Sequence, residues 1–218
     1  MLRYDREMKA LAMGYAALAG AIDTIGFLKS GGLFVSFMTG NSTRLAIGIA
    51  EAMSVAITAA ALIALFVTGV ILNVLASESA TIIHRKTAAT LVVAMLLVTA
   101  AGVDSSGSHL PAVGCLCLAM GAANAIFRRE GEVGIGVTYM TGTLVKLGHR
   151  VANRLRGSDD SPWLPYLLLW LSLVMGGVAG AAGFAWSPKV SLWCAAAASI
   201  VLAGVTTRLV RTGDVASG

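Results

Sequence analysis

Phe34-Val35-Ser36-Phe37-Met38-Thr39-Gly40-Asn41 returns as a near copy, Gly136-Val137-Thr138-Tyr139-Met140-Thr141-Gly142-Thr143, in the second half of the 218-residue chain. Each copy runs from β-favouring residues into a helix start. Val, Phe, Tyr and Thr favour extended backbone, while Thr, Asn and Gly stand where a helix needs capping. Each copy therefore reads as a broken element with free backbone N–H groups at its tip, and a duplicated break organises the rest of the chain around it.

The surroundings are those of a membrane protein. The chain is 57% hydrophobic and 12% charged, with a mean hydropathy of +0.81, far more apolar than a soluble domain. Apolar runs at about 11–27, 55–76, 87–102, 111–127, 164–186 and 191–207 suit helices that satisfy their own backbone across a hydrocarbon core. Cys115, Cys117 and Cys194 all lie in such runs and read as reduced core residues, neither a disulfide framework nor a metal site. The net charge of +5 comes from residues that flank spans, so nucleic acid is not an expected partner. The first run is preceded by Asp5 and Glu7 and contains Asp23, so it reads as a span and not as a cleaved signal.

Charge placement sets the topology. With both termini in the cytoplasm, 13 of the 16 Lys and Arg residues fall on the inner side, leaving Lys29, Arg44 and Lys189 outside. Counting the Met-Thr-Gly segments as full crossings would put Arg85, Lys86, Arg128 and Arg129 outside, so re-entrant segments are expected. Three spans per half then place the copies in opposite orientations. Ala19-Gly20-Ala21-Ile22-Asp23-Thr24-Ile25 aligning with Met120-Gly121-Ala122-Ala123-Asn124-Ala125-Ile126 extends the repeat. The expected fold is an all-α integral membrane protein. It forms a single domain over 1–218, with six transmembrane helices as two inverted three-helix repeats (about 8–103 and 108–210), each carrying a re-entrant Met-Thr-Gly segment.

Gly20-Ala21-Ile22-Asp23 with Phe37-Met38-Thr39-Gly40-Asn41, and Gly121-Ala122-Ala123-Asn124 with Tyr139-Met140-Thr141-Gly142, resemble the YoaK-like family of small bacterial membrane proteins, catalogued as a domain of unknown function. The resemblance covers roughly 8–209 and implies a six-span inner-membrane protein that has been guessed to be a transporter. Ala123 and Thr143 depart from the family pattern, which implies a second site that is weaker or differently tuned.

Helix N-termini attract anions, so two opposed tips near the midplane suggest a site for a small polar or anionic solute. The candidate substrate-binding residues are Asp23, Thr39, Gly40, Asn41, Asn124, Thr141, Gly142 and Thr143. The bland alternative is that they cap and pack two short helices. A carboxylate inside a span costs about 2.5–3.5 kcal/mol and needs a purpose. For Asp23, ion coupling, substrate contact and a structural hydrogen bond all stay open.

Asn73, Ser172, Thr58 and Thr68 read as helix glue, and Gly176, Gly177, Gly180 and Gly183 as a close-packing stripe within the monomer or at a dimer contact. Trp163 and Trp186 read as interfacial anchors, and Trp170 as a packing or cavity residue. Lys146, His149, Arg150, Arg154 and Arg156, interleaved with Leu144, Leu147, Val151 and Leu155, suggest an amphipathic helix on anionic lipid heads. His84 and His109 lie in loops with no partner spacing, and no cofactor, metal or enzyme motif is recognised. The expected function is a secondary transporter working by alternating access, with a channel gated at the two tips as the alternative. The expected partners are the bilayer, a small-molecule or ion substrate and a second copy in a homodimer.

Overall fold

The computed structural model describes residues 6–80, 84–129, 132–133, 135–157 and 162–211. The expected charged start up to Asp5 and the tail beyond Arg211 lie outside these residues. Eight helices form among the described residues: α1 (Arg6–Ser30), α2 (Met38–Glu51), α3 (Met53–Glu78), α4 (Arg85–Ser105), α5 (His109–Ala123), α6 (Met140–Leu155), α7 (Leu164–Trp186) and α8 (Pro188–Arg211). One two-residue antiparallel ladder, Arg128–Arg129 with Glu132–Val133, interrupts the all-α architecture.

Five helices, α1, α3, α4, α7 and α8, are long and apolar enough to cross a membrane, and α5 is a shorter apolar helix of 15 residues. The fourth expected span reached Phe127, but regular helix stops at Ala123. From there Asn124, Ala125 and Ile126 bond their N–H groups three residues back, the tightened pattern of a helix end. The proline at the second position of α7, Pro165, sits where its missing N–H costs nothing.

Packing comes in matched pairs. α1 lies along α7 and α3 along α5, while α4 packs on α8 and each Met-Thr-Gly helix packs on the span that follows it, α2 on α3 and α6 on α7. Between apolar helices in lipid there is little hydrophobic drive, so backbones must come close enough for dispersion and polar contacts to act. The glycines provide this. A Cβ on Gly20 would strike the Leu173 carbonyl and one on Gly176 the Ala17 carbonyl; on the other pair, Gly121 faces the Phe66 carbonyl and Gly69 the Leu118 carbonyl. The stripe in α7 thus packs within the monomer, at Gly176 and Gly180 against α1.

Where Gly180 approaches the Ala21 carbonyl, the α3 position four residues after Gly69 holds Asn73. Its buried amide donates to Ala122 O (2.6 Å) on α5 and to Ala89 O (3.3 Å) on α4. Thr58, Thr68 and Ser172 bond to the carbonyl four residues back in their own helices, as expected. The three cysteines are free.

The helix directions follow from end contacts. The C-terminal ends of α1, α4 and α7 meet the N-terminal ends of α5 and α8 at one end of the bundle: Lys29 bonds Asp104 and lies over the Phe184 ring, His109 reaches the same carboxylate, and Trp193 Nε1 donates to Ser105 Oγ (3.1 Å). This is the Lys29 end; the opposite end carries the C-termini of α3 and α5 and the N-terminus of α7.

Gly20→Ala and Gly121→Ala should each destabilise the fold by about 1–3 kcal/mol, since the added methyl meets backbone that cannot step aside. Gly204→Ala, with open space around it, should be neutral or slightly stabilising. Melting temperatures of the detergent-purified variants check both.

Candidate functional site

The first tip is built by returning the chain along the helix it has just left. Gly31 and Gly32 take φ of +71° and +109°, left-handed backbone that ends α1 and reverses the chain. Val35 then packs against Gly26, and the N–H groups of Val35 and Ser36 donate to Asp23 Oδ1 at 2.9 and 2.7 Å. Asn41, fully buried, pairs with Phe34 on both sides: its amide donates to Phe34 O (2.6 Å) and its Oδ1 accepts from Phe34 N–H (2.9 Å). From Met38, α2 leads back toward the Lys29 end, bringing the Arg44 guanidinium beside Gly32.

The second tip uses the same positions with neutral groups. Ile135 N–H donates to Phe127 O (3.4 Å), and the chain returns to Asn124, whose amide exchanges hydrogen bonds with the Thr138 hydroxyl (2.9 and 3.1 Å). Asp23 holds its loop through backbone N–H groups; Asn124 holds its loop through a side chain.

Capping differs from the expectation. Helices α2 and α6 begin at Met38 and Met140, with Phe37 and Tyr139 as N-caps and no side-chain cap bond. Thr39, Gly40 and Asn41, like Thr141, Gly142 and Thr143, lie inside the first turn. The physical reason is the aromatic residue before each Met. The Phe37 ring covers Gly40 and the Tyr139 ring covers Gly142, where any Cβ would collide with the ring. The glycine of each motif is a seat for its own N-cap ring.

Both tips face one cavity of about 870 Å³. Ser36 and Thr39 reach it from the first tip, and Asn124, Thr138, Thr141 and Thr143 from the second. Of the residues singled out in the sequence, Thr39, Asn124, Thr141 and Thr143 are therefore brought together on its wall. Asp23, Gly40, Asn41 and Gly142 stand behind it as supports.

Sequence reading missed the rest of the wall. Phe66, Val70 and Val74 come from α3, Tyr166 and Leu169 from α7, and Lys146 from α6. The signal was present as spacing: Phe66, Val70 and Val74 recur at four-residue steps, and Met140, Thr143 and Lys146 at three. Lys146 had been assigned to lipid heads along with its basic neighbours.

A second polar cluster was also missed. Lys29 Nζ lies 2.8 and 2.9 Å from the two Asp104 oxygens, and both side chains are almost fully buried at 5% and 1% exposure. His109, expected to be a loop residue without a partner, is the first residue of α5 and places Nδ1 2.8 Å from Asp104 Oδ1. It joins the end of the first half to the start of the second.

The family model described as Protein of unknown function (DUF1275) matches residues 11–205. A UPF0700 transmembrane protein of Rhizobium meliloti (strain 1021) is 30% identical over 207 residues, which cover 93% of this chain and 87% of that relative. No solved structure matches. The chain belongs to the DUF1275 family and is a multi-pass membrane protein.

Asp23→Ala should cost about 2–3 kcal/mol, because it strands two loop N–H groups on which the first tip depends. Asp23→Asn keeps an oxygen acceptor and should cost less than half as much. Denaturation of the purified variants, monitored by helix content, measures both.

Proposed function

We propose that this DUF1275 protein is a secondary transporter of the bacterial inner membrane that carries a small polar or anionic solute by alternating access. The observation that carries the reading is the single cavity shared by both Met-Thr-Gly tips. A pair of surface-capping helices would have no reason to meet across a common space. A site at the junction of two interrupted helices is the arrangement carriers use, because there the solute touches both moving halves.

The two halves are read as inverted repeats. The α1–α7 and α3–α5 pairs exchange places when the halves are exchanged, and their closest approaches fall at corresponding glycines. The burial pattern supports the same reading: Leu11, Ala12, Ala16 and Gly20 of α1 correspond to Ala112, Val113, Cys117 and Gly121 of α5, all buried. The return of each loop to Asp23 or Asn124, inside its own half, supports re-entrant segments over full crossings. Placement of Lys and Arg supports an orientation with both termini in the cytoplasm and the Lys29 end outside.

In this reading the structure is the inward-facing state. The cavity lies between the tips and the end formed by Val74, Asn124 and Tyr166, while the buried Lys29–Asp104 pair, with His109, closes the opposite end. Opening outward separates α1 from α4 and breaks that pair. Asp23 serves as a positioning residue for the first tip.

Reconstituted protein should show saturable uptake and counterflow of its solute; unitary currents without saturation would favour a channel and contradict the carrier. Asp104→Asn weakens the outer closure, so a thiol introduced at Ser36 should react several-fold faster with an impermeant reagent applied from outside. Unchanged labelling in a variant that still folds, judged by its melting curve, would contradict alternating access.

A further inference from the structure

The shape and chemistry of the cavity narrow the class of solute. At about 870 Å³ it falls within the range of about 300–1,000 Å³ that encloses drug-sized organic ligands, and a bare inorganic ion would sit in it without partners on most sides. The α3 wall is apolar, formed by Phe66, Val70 and Val74, and Leu169 of α7 adds to it. Two aromatic residues at matched positions of the two tips, Phe37 and Tyr139, are among those that line it. Aromatic residues on a wall favour a flat, polarisable body beside them.

Charge on the wall has one sign. Among the described residues, Lys146 is the charged group lining the cavity, one helical step beyond Thr143 on the same face of α6. Asp23 stands behind Ser36 with its Oδ1 engaged by two loop N–H groups, and Asp104 is held at the far end by Lys29. Lys146, an exposed residue of α6, thus brings the charge to an otherwise neutral wall, and ammonium–carboxylate hydrogen bonds are among the stronger polar contacts.

Resting on the carrier reading above, we infer that the transported solute is an amphipathic organic anion, an aromatic carboxylate, with its carboxylate at Lys146 and its ring beside Phe37 and Tyr139 on the cavity wall. Lys146 is the residue that selects for charge, and the α3 wall selects for an apolar body. A lipid anion shares the head-group chemistry, but the aromatic rings at both tips favour a flat body over a flexible chain.

The test titrates the detergent-purified protein with 1-naphthoate, its neutral amide 1-naphthamide, inorganic phosphate and oleate, following heat by calorimetry. Naphthoate should bind at least tenfold more tightly than naphthamide, phosphate or oleate. Lys146→Gln should lower naphthoate affinity at least tenfold while leaving naphthamide within twofold, and Lys189→Gln, at the opposite end, should change neither. Equal binding of acid and amide, insensitivity to Lys146→Gln, preference for phosphate or oleate, or no binding of naphthoate at millimolar concentration would each overturn the inference. Failure of the carrier reading looks different: naphthoate binds in a Lys146-dependent way, yet reconstituted protein shows no counterflow of it or of any other solute.

Discussion

Backbone that leaves a helix inside an apolar bundle must find hydrogen-bond partners, because neither lipid nor a packed apolar core supplies them. The first tip meets that demand with two side chains. Asp23 takes the N–H groups of Val35 and Ser36, and Asn41 takes both polar groups of Phe34. With those satisfied, the loop can lie against α1 at Gly26 and start a new helix within the bundle. Removing either acceptor leaves buried donors that cost more than a broken surface contact would. The placement of the cavity, the exposure of Thr39 on its wall and the direction of α2 all follow from this clamp.

The second tip solves the same problem with less charge. Asn124 binds Thr138 through side chains, and Thr143, at the position of Asn41, bonds only back to Tyr139 O (3.2 Å) within its own turn. One copy is therefore clamped by a carboxylate and a buried amide, the other by an amide and hydroxyls. The two tips are built at matching positions but held unequally.

Much of the fold was legible because hydropathy and repetition are strong signals. Each of the six apolar runs holds a helix, although the fourth, α5, stops at Ala123 and is shorter than the other five, and the Asp23–Asn124 alignment placed both loop anchors in register. The small-residue spacing in α7 identified a real close approach, and its neighbour at Gly176 and Gly180 is α1. Thr39, Asn124, Thr141 and Thr143, which belong to the repeat, line the cavity.

What stayed hidden depends on contacts far apart in sequence. Lys29 and Asp104 are separated by 75 positions and looked like ordinary span-ending residues, so their buried pairing left no local trace. Phe66, Val70 and Val74 were masked by the uniform apolarity of α3, where hydropathy cannot tell a cavity wall from a lipid face. Gly40 and Gly142, read in the sequence as candidate binding residues, have the Phe37 and Tyr139 rings as immediate neighbours. A glycine three residues after an aromatic N-cap is a packing device as much as a binding one.

The meeting of the two Met-Thr-Gly tips across one cavity is the feature on which the rest depends. It is tested most directly by placing cysteines at Thr39 and Thr141 in a background lacking Cys115, Cys117 and Cys194, and treating membranes with a short bifunctional thiol reagent. Cross-linking should be efficient within a single chain and reduced when a bound solute fills the cavity. Modification of both thiols with no cross-link, or cross-linking only between separate chains, would contradict it.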